Sequence, residues 1–251
     1  MKLFIRCIAA ALVLVLAGCA TRALVKDVTA NPEAYLVNNF NETKLSDAVR
    51  NAVGIKTPGK VKREVRIEAV MTNIEGEQKQ SFDKTDLHQV LDNGLVRSMV
   101  QASNNGIASI TEFDLTYHDI FALIYQSVSH SATNASTLMY TKAIAKLDKS
   151  IADPTENTEY VFEYALAPEP QIANFENQRT VCKTGKWFAA NTLHPKLPGN
   201  ALPIDCEYFG RNGQTFLKLQ SAYIKDLGIT LKRESATSTR KRTWTVKDVK
   251  I

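Results

Sequence analysis

Apolar residues recur at intervals of three and four between about positions 84 and 103, the most regular pattern in the chain. They are Leu87, Val90, Leu91, Leu95, Val96, Met99 and Val100. This spacing is typical of one face of an amphipathic α-helix. Asp83 is a suitable N-terminal cap, and Asn104-Asn105-Gly106 can end such a helix. The pattern therefore predicts one long helix over about 84–103, packed on a sheet.

Apolar and polar residues alternate on either side of this stretch, which is the period of half-buried β-strands. The alternation begins at Val61, Phe113, Thr141 and Tyr160. Four further short strands are predicted towards the C-terminus, at 204–209, 215–224, 229–233 and 242–246.

A short helix is predicted before the first strand, because apolar residues from Leu45 to Val53 share one helical face and Gly54 can end it. The elements together predict an α+β fold: a mainly antiparallel sheet, the long amphipathic helix, a short N-terminal helix and a C-terminal β-meander. Residues 41–251 are expected to form this single domain. Its candidate internal boundary lies near 167–180, where prolines interrupt the strand pattern.

The first residues have the composition of a secretory leader. Lys2 and Arg6 form a basic head, and the apolar run that follows is too short to cross a membrane, which needs about 20 residues. This arrangement predicts a signal peptide over 1–18. Residues 19–40 show no sustained period and are predicted to be a tether.

The segment Leu16-Ala17-Gly18-Cys19 resembles the lipobox of bacterial lipoproteins. The resemblance covers the leader and the first mature residue only. It implies cleavage before Cys19, a diacylglycerol thioether on its sulfur and acylation of its amine. A plain signal peptide with an incidental cysteine is the alternative.

The family's sorting rule also bears on location, because Ala20 rather than an aspartate follows Cys19. The resemblance thus implies a lipid-anchored protein of the outer membrane that faces the periplasm, with exposure at the cell surface left open. Its membrane partner would be reached through the acyl chains on Cys19.

Four cysteines are present, and Cys7 lies in the leader. An oxidising envelope favours a disulfide between the remaining pair, Cys182 and Cys206. A metal site is the alternative, because His194 lies midway between them. Such spacing lacks the close ligand pairs of zinc sites, so the sequence predicts the disulfide and no metal.

Charge is unevenly distributed along the chain. The net charge of +5 falls to +3 without the leader, and nine basic residues against three acidic ones follow position 217. A basic patch is predicted at Arg240, Lys241, Arg242, Lys232 and Arg233. It suits an anionic partner, such as a glycolipid or another envelope protein, or it protects strand edges from pairing. Nucleic acid is not expected as a partner of an exported protein.

Signatures of catalysis and cofactor binding are absent from the sequence, which lacks nucleophile-elbow, phosphate-loop and dinucleotide motifs. His118 and His130 are the candidate acid–base residues, and His88 is expected on the solvent side of the long helix. No catalytic residue and no cofactor are predicted.

Three functions are compatible with these features. The leading hypothesis is a non-catalytic lipoprotein that binds, assembles or maintains envelope components. The alternative is a lipid or lipoprotein carrier: a sheet curled around an apolar cavity, with the long helix as lid and Tyr160, Phe162 or Tyr164 in the wall. An envelope hydrolase with a divergent site is the third.

Overall fold

The structure, a computed structural model, describes residues 23–251. The predicted signal peptide, Cys7 and Cys19 lie outside the described residues. The helices are α1 (Val25–Ala30), α2 (Pro32–Asn39) and α3 (Asp47–Val53). The strands are β1 (Val61–Glu75), β2 (Gln78–Leu91), β3 (Leu95–Asn104), β4 (Ile107–Tyr117), β5 (Phe121–Ser129), β6 (Met139–Leu147), β7 (Glu159–Pro168), β8 (Glu176–Thr184), β9 (Phe188–Ala189), β10 (Asn200–Phe209), β11 (Thr215–Ile224), β12 (Ile229–Ala236) and β13 (Lys241–Lys250).

These strands form one antiparallel sheet that closes on itself. From β1 to β8 each strand pairs with the next, β8 pairs with β10, β10 with β11, and β13 returns to β1. Twelve strands thereby form a closed barrel, and the short β9 pairs only with β10. Closure pairs the backbone groups that an open sheet would leave free at its edges.

The predicted α+β class is wrong, because the segment 84–103 is a β-hairpin rather than a long helix. Strands β2 and β3 meet at a turn that contains Gly94, whose φ is +84°. The register places Leu87 opposite Met99 on one face and Val90 opposite Val96 on the other. Since both faces carry apolar residues, apolar positions cluster along the strands and mimic helical spacing.

Helix α2 and the residue that follows it, Phe40, cover one face of β3 and β4. Leu36 of α2 and Phe40 are fully buried there. The ring of Phe113 stacks on Phe40 with centroids 5.5 Å apart. From Val25 onward, the segment predicted as a tether is thus helical and packed on the sheet. Within residues 23–251, no helix is long and apolar enough to cross a membrane.

The short predicted helix before the first strand is present as α3. The side chain of Ser46 accepts a hydrogen bond from the amide of Val49 at its start, and Gly54 ends it in the left-handed conformation, with φ +78°. It packs mainly on β6, which adds Val49 and Val53 to the main core.

The predicted disulfide joins neighbouring strands: Cys182 of β8 lies directly opposite Cys206 of β10, and their sulfurs are bonded. The bond leaves these sulfurs unavailable as metal ligands. His194 lies elsewhere, with Nε2 3.2 Å from the carbonyl oxygen of Lys247. The strands on both sides of the candidate boundary near 167–180 belong to the same sheet.

Candidate functional site

A cavity of about 480 Å³ lies inside the barrel, lined by side chains from eleven of its strands. Its volume is within the range of about 300–1,000 Å³ found for small-molecule sites. The apolar part of the wall comprises Val100, Ile120, Leu123, Ile124, Met139, Leu166, Ile204, Phe216, Leu217 and Leu219. The ionisable part comprises Lys84, Asp86, His88, Glu112, Asp114, Asp119, Lys232 and Arg242.

Strand periodicity explains why charges and apolar residues are so close in sequence. Lys84, Asp86 and His88 alternate along β2 and face the cavity, whereas Leu87 between them faces the helices. On β4, Glu112 and Asp114 line the cavity in the same way. Each of these strands thus has one polar interior face and one apolar face.

Asp119 connects the turn after β4 to strand β12. Its carboxylate accepts a hydrogen bond of 2.6 Å from the amide of Thr230, and its carbonyl accepts one of 2.9 Å from the Thr230 hydroxyl. The same carboxylate oxygen lies 3.4 Å from Nδ1 of His88. Burial disfavours a charge on His88, but the Asp119 and Asp86 carboxylates outweigh burial and raise the pKa of His88 above its ordinary value.

Lys84 is a buried cation with two partners. It is only 6% exposed, and Nζ donates a 2.9 Å hydrogen bond to Asp86. The same Nζ lies 5.5 Å from the centre of the Trp244 ring. A charge-assisted hydrogen bond and an aromatic face compensate the lost hydration.

Lys232, by contrast, has no carboxylate within 4.0 Å among the described residues. Lys232 is exposed, and although desolvation by the surrounding cavity wall opposes its charge, Glu112, Asp114 and Asp86 raise its pKa above the ordinary value. Burial raises the pKa of Asp114 to about 7, although Lys232 acts in the opposite direction. The ammonium group and these carboxylates are therefore close enough to interact through the cavity but are not paired.

Several buried polar atoms of the cavity wall have no hydrogen-bond partner among residues 23–251. They are Oδ1 of Asp86, Nδ1 of His88, Nε of Arg242 and Nε1 of Trp244. An unsatisfied buried group costs about 1–3 kcal/mol, so such groups normally contact water or a ligand.

The predicted basic patch is divided by the barrel wall. Lys232 and Arg242 line the cavity, and Arg233 is exposed and does not line it. On the outer surface, Arg240 pairs with Glu75 at 3.0 Å, and Lys241 pairs with Glu234 at 2.8 Å. The five residues thus do not form one surface patch.

The two candidate catalytic histidines lie apart. Nε2 of His130 is 2.9 Å from the Thr111 hydroxyl, and His118 packs edge-on against Tyr117. Burial lowers the pKa of His118.

The expectation for His88 was wrong, because it lines the cavity instead of facing solvent. Ser98 is its cross-strand neighbour, but no hydrogen bond joins these two side chains in the part of the chain that the structure describes. The two-residue spacing of Lys84, Asp86 and His88 was the sequence signal for this polar strand face, and the apolar helical pattern obscured it.

Of the three aromatic residues expected in a carrier wall, one lines the cavity. Tyr164 does so, whereas Tyr160 and Phe162 are fully buried in the main core. The segment predicted as the long lid belongs to the cavity wall instead, because it forms β2 and β3.

No protein-family model matches the chain, and no curated protein matches it. Two solved structures are similar to it at low identity. One is a DUF1329 family protein from Desulfovibrio piger, with a TM-score of 0.37 and 10% identity over 81% of this chain and 89% of that one. The other is a putative outer membrane lipoprotein-sorting protein domain from Vibrio parahaemolyticus, with a TM-score of 0.41 and 6% identity over 74% of this chain and 84% of that one. At these TM-scores, the function has to be inferred from the chain's own geometry.

Proposed function

We propose that the protein is a lipid-anchored, non-catalytic lipoprotein of the bacterial envelope that holds an amphiphile inside its barrel. The observation that carries this proposal is the interior cavity, which combines an apolar wall with ionisable groups that have incomplete protein partners. The apolar chain of an amphiphile would bury surface against the apolar wall, and its polar head group would form hydrogen bonds with the ionisable groups.

The anchor rests on the lipobox-like segment that ends at Cys19. Acyl chains on that cysteine would keep the barrel beside the membrane, where amphiphiles are concentrated. The Ala20 that follows favours the outer membrane and its periplasmic face. The interior cavity favours the carrier hypothesis over a general role in assembly, since a carrier needs an internal compartment.

The experiment uses the full-length protein, purified in a non-ionic detergent and photolysed with a diazirine derivative of palmitic acid. Labelled peptides are then mapped by mass spectrometry. We expect labels on cavity-lining side chains of β5, β7, β10 and β11. Labelling confined to the outer surface would overturn the proposal.

Filling the cavity provides the matched test. Ala122 and Ala108 are both exposed, but only Ala122 lines the cavity. We expect Ala122→Trp to reduce interior labelling roughly tenfold, corresponding to about 1.4 kcal/mol of binding free energy, and Ala108→Trp to leave it unchanged. If Ala122→Trp fails to fold, Leu166→Gln is used instead. It makes the apolar wall more polar and should likewise reduce interior labelling. Interior labelling that withstands both changes contradicts the proposal.

A further inference from the structure

Besides Lys84, Asp86, His88 and Asp119, two sets of ionisable side chains of opposite charge line the cavity. Lys232 of β12 and Arg242 of β13, with the indole N–H of Trp244, form the cationic wall. Glu112 and Asp114 of β4 form the acidic wall. Along the sheet, β1, β2 and β3 separate β13 from β4, so the two walls belong to different sectors of the barrel.

The two walls interact across the cavity, but neither forms an ion pair within the described residues. Within residues 23–251, Lys232 and Arg242 have no carboxylate within 4.0 Å, and Glu112 and Asp114 have no basic nitrogen within that distance. On the outer surface, by contrast, several cations are paired. Lys218 lies 2.7 Å from a carboxylate oxygen, and other exposed lysines also form ion pairs. The interior charges thus remain available to a ligand.

Unpartnered atoms on the cationic wall point to the same conclusion. Nε of Arg242 and Nε1 of Trp244 are buried donors without an acceptor. Buried polar atoms of this kind normally contact water or a ligand.

We propose that the two walls together bind a zwitterionic head group, with a phosphate at Lys232, Arg242 and Trp244 and an ammonium group at Glu112 and Asp114. The proposal rests on amphiphile binding in the cavity and specifies its head-group chemistry. A purely anionic head group would leave the acidic wall unpaired, and a purely cationic one would leave the cationic wall unpaired. Charge-assisted hydrogen bonds to both ends are available only to a zwitterion.

The test compares four amphiphiles that share dihexanoylglycerol chains and differ only in the head group. The head groups are phosphoethanolamine, phosphoglycerol, trimethylammonium and none. Each is added to the full-length protein in non-ionic detergent, and the occupied fraction is measured by native mass spectrometry. Glycerophosphoethanolamine, which has the head group without chains, distinguishes a lipid site from a site for a free phosphate ester.

We expect the phosphoethanolamine amphiphile to bind roughly tenfold more tightly than each of the other three, and glycerophosphoethanolamine to bind weakly. Equal binding of all four would overturn the head-group inference but leave amphiphile binding intact. Binding of none would overturn both. Tight binding of glycerophosphoethanolamine alone would indicate a phosphate-ester site without a lipid.

Single substitutions test which wall binds the phosphate and which binds the ammonium group. Lys232→Gln should shift the preference towards the trimethylammonium amphiphile, and Asp114→Asn should shift it towards the phosphoglycerol amphiphile. Arg233→Gln is the matched control, because this neighbour of Lys232 is exposed like Lys232 itself but does not line the cavity. If Lys232→Gln does not fold, Arg242→Gln tests the same wall. Identical shifts in the control and the cavity variants would contradict the proposal.

Discussion

At the scale of single residues, the cavity holds ionisable side chains that the fold only partly compensates. The buried pair of Lys84 and Asp86 is joined by a hydrogen bond, whereas Asp114 has no basic partner within 4.0 Å in the described part of the chain. Burial of an unpaired carboxyl favours its neutral form. Its titration should therefore be visible in the pH dependence of stability.

The first prediction concerns Asp114, whose pKa is raised by burial to about 7 in the folded protein. In the unfolded chain the ordinary value is about 3.9. Between these values the unfolded state releases its proton first, so rising pH favours unfolding and the protein loses stability up to about pH 7. We expect Asp114→Asn to be more stabilising at pH 8 than at pH 5, by about 1–2 kcal/mol in urea unfolding.

Glu77→Gln is the control for this prediction, because Glu77 lies exposed in the turn between β1 and β2. It replaces a carboxylate by an amide outside the cavity. A similar pH-dependent gain in this control, or none in Asp114→Asn, would show that burial in the cavity is not the cause.

At the scale of elements, the hairpin of β2 and β3 decides the fold class. Its turn brings Gly94 close to His118, so that a Cβ atom there would lie 2.8 Å from Nε2 of the histidine. The backbone is left-handed at this position, with φ +84°. Both features require glycine, and neither would be needed inside a helix.

The second prediction separates these two requirements. We expect Gly94→Ala to lower the free energy of unfolding by about 2 kcal/mol, through backbone strain and the contact with His118. Gly76→Ala tests strain alone, since Gly76 has φ +57° and open space around its Cβ position, and about 1 kcal/mol is expected. Equal losses in chemical denaturation would remove the His118 contact from the explanation.

The third prediction concerns the bond between β8 and β10. Cys182 and Cys206 are 24 residues apart, and linking them restricts the unfolded chain. We expect the double variant Cys182→Ala/Cys206→Ala to lose about 3 kcal/mol of stability under oxidising conditions. Reduced wild-type protein should show the same loss, and unchanged urea unfolding in both would mean that the crosslink contributes nothing to stability.

At the scale of the whole molecule, closure between β10 and β11 creates the interior compartment. The pairing runs from Ala201 opposite Ile224 to Phe209 opposite Thr215. It converts one face of the sheet into the wall of a cavity, which an open sheet would expose to solvent. The proposed anchor would then hold this compartment at the membrane surface.

The fourth prediction tests that anchor. We expect Cys19→Ala to abolish metabolic incorporation of labelled palmitate, because the sulfur that would carry the diacylglycerol is lost. Cys7→Ala is the matched control and should retain the label, since this cysteine lies inside the predicted leader. Label retained by Cys19→Ala would contradict the lipobox assignment.

Local patterns predicted the elements that depend on neighbours in sequence. The strands that begin at Val61 and Tyr160 and the short helix before Gly54 are present because period and capping are local properties. The hairpin around Gly94 was missed because burial on both faces removed the alternation that identifies a strand. The site was missed for a related reason, since His88 was assigned to the wrong kind of element.

The sequence by itself determined the alternation that makes strands and the cysteine pair that joins two of them. Only the tertiary structure decided that the sheet closes, and therefore which face of each strand is interior. Lys232 and Arg233 are adjacent in sequence, yet the first lines the cavity and the second does not. Such a difference depends on strand register and closure between residues far apart in the chain, which no local pattern records.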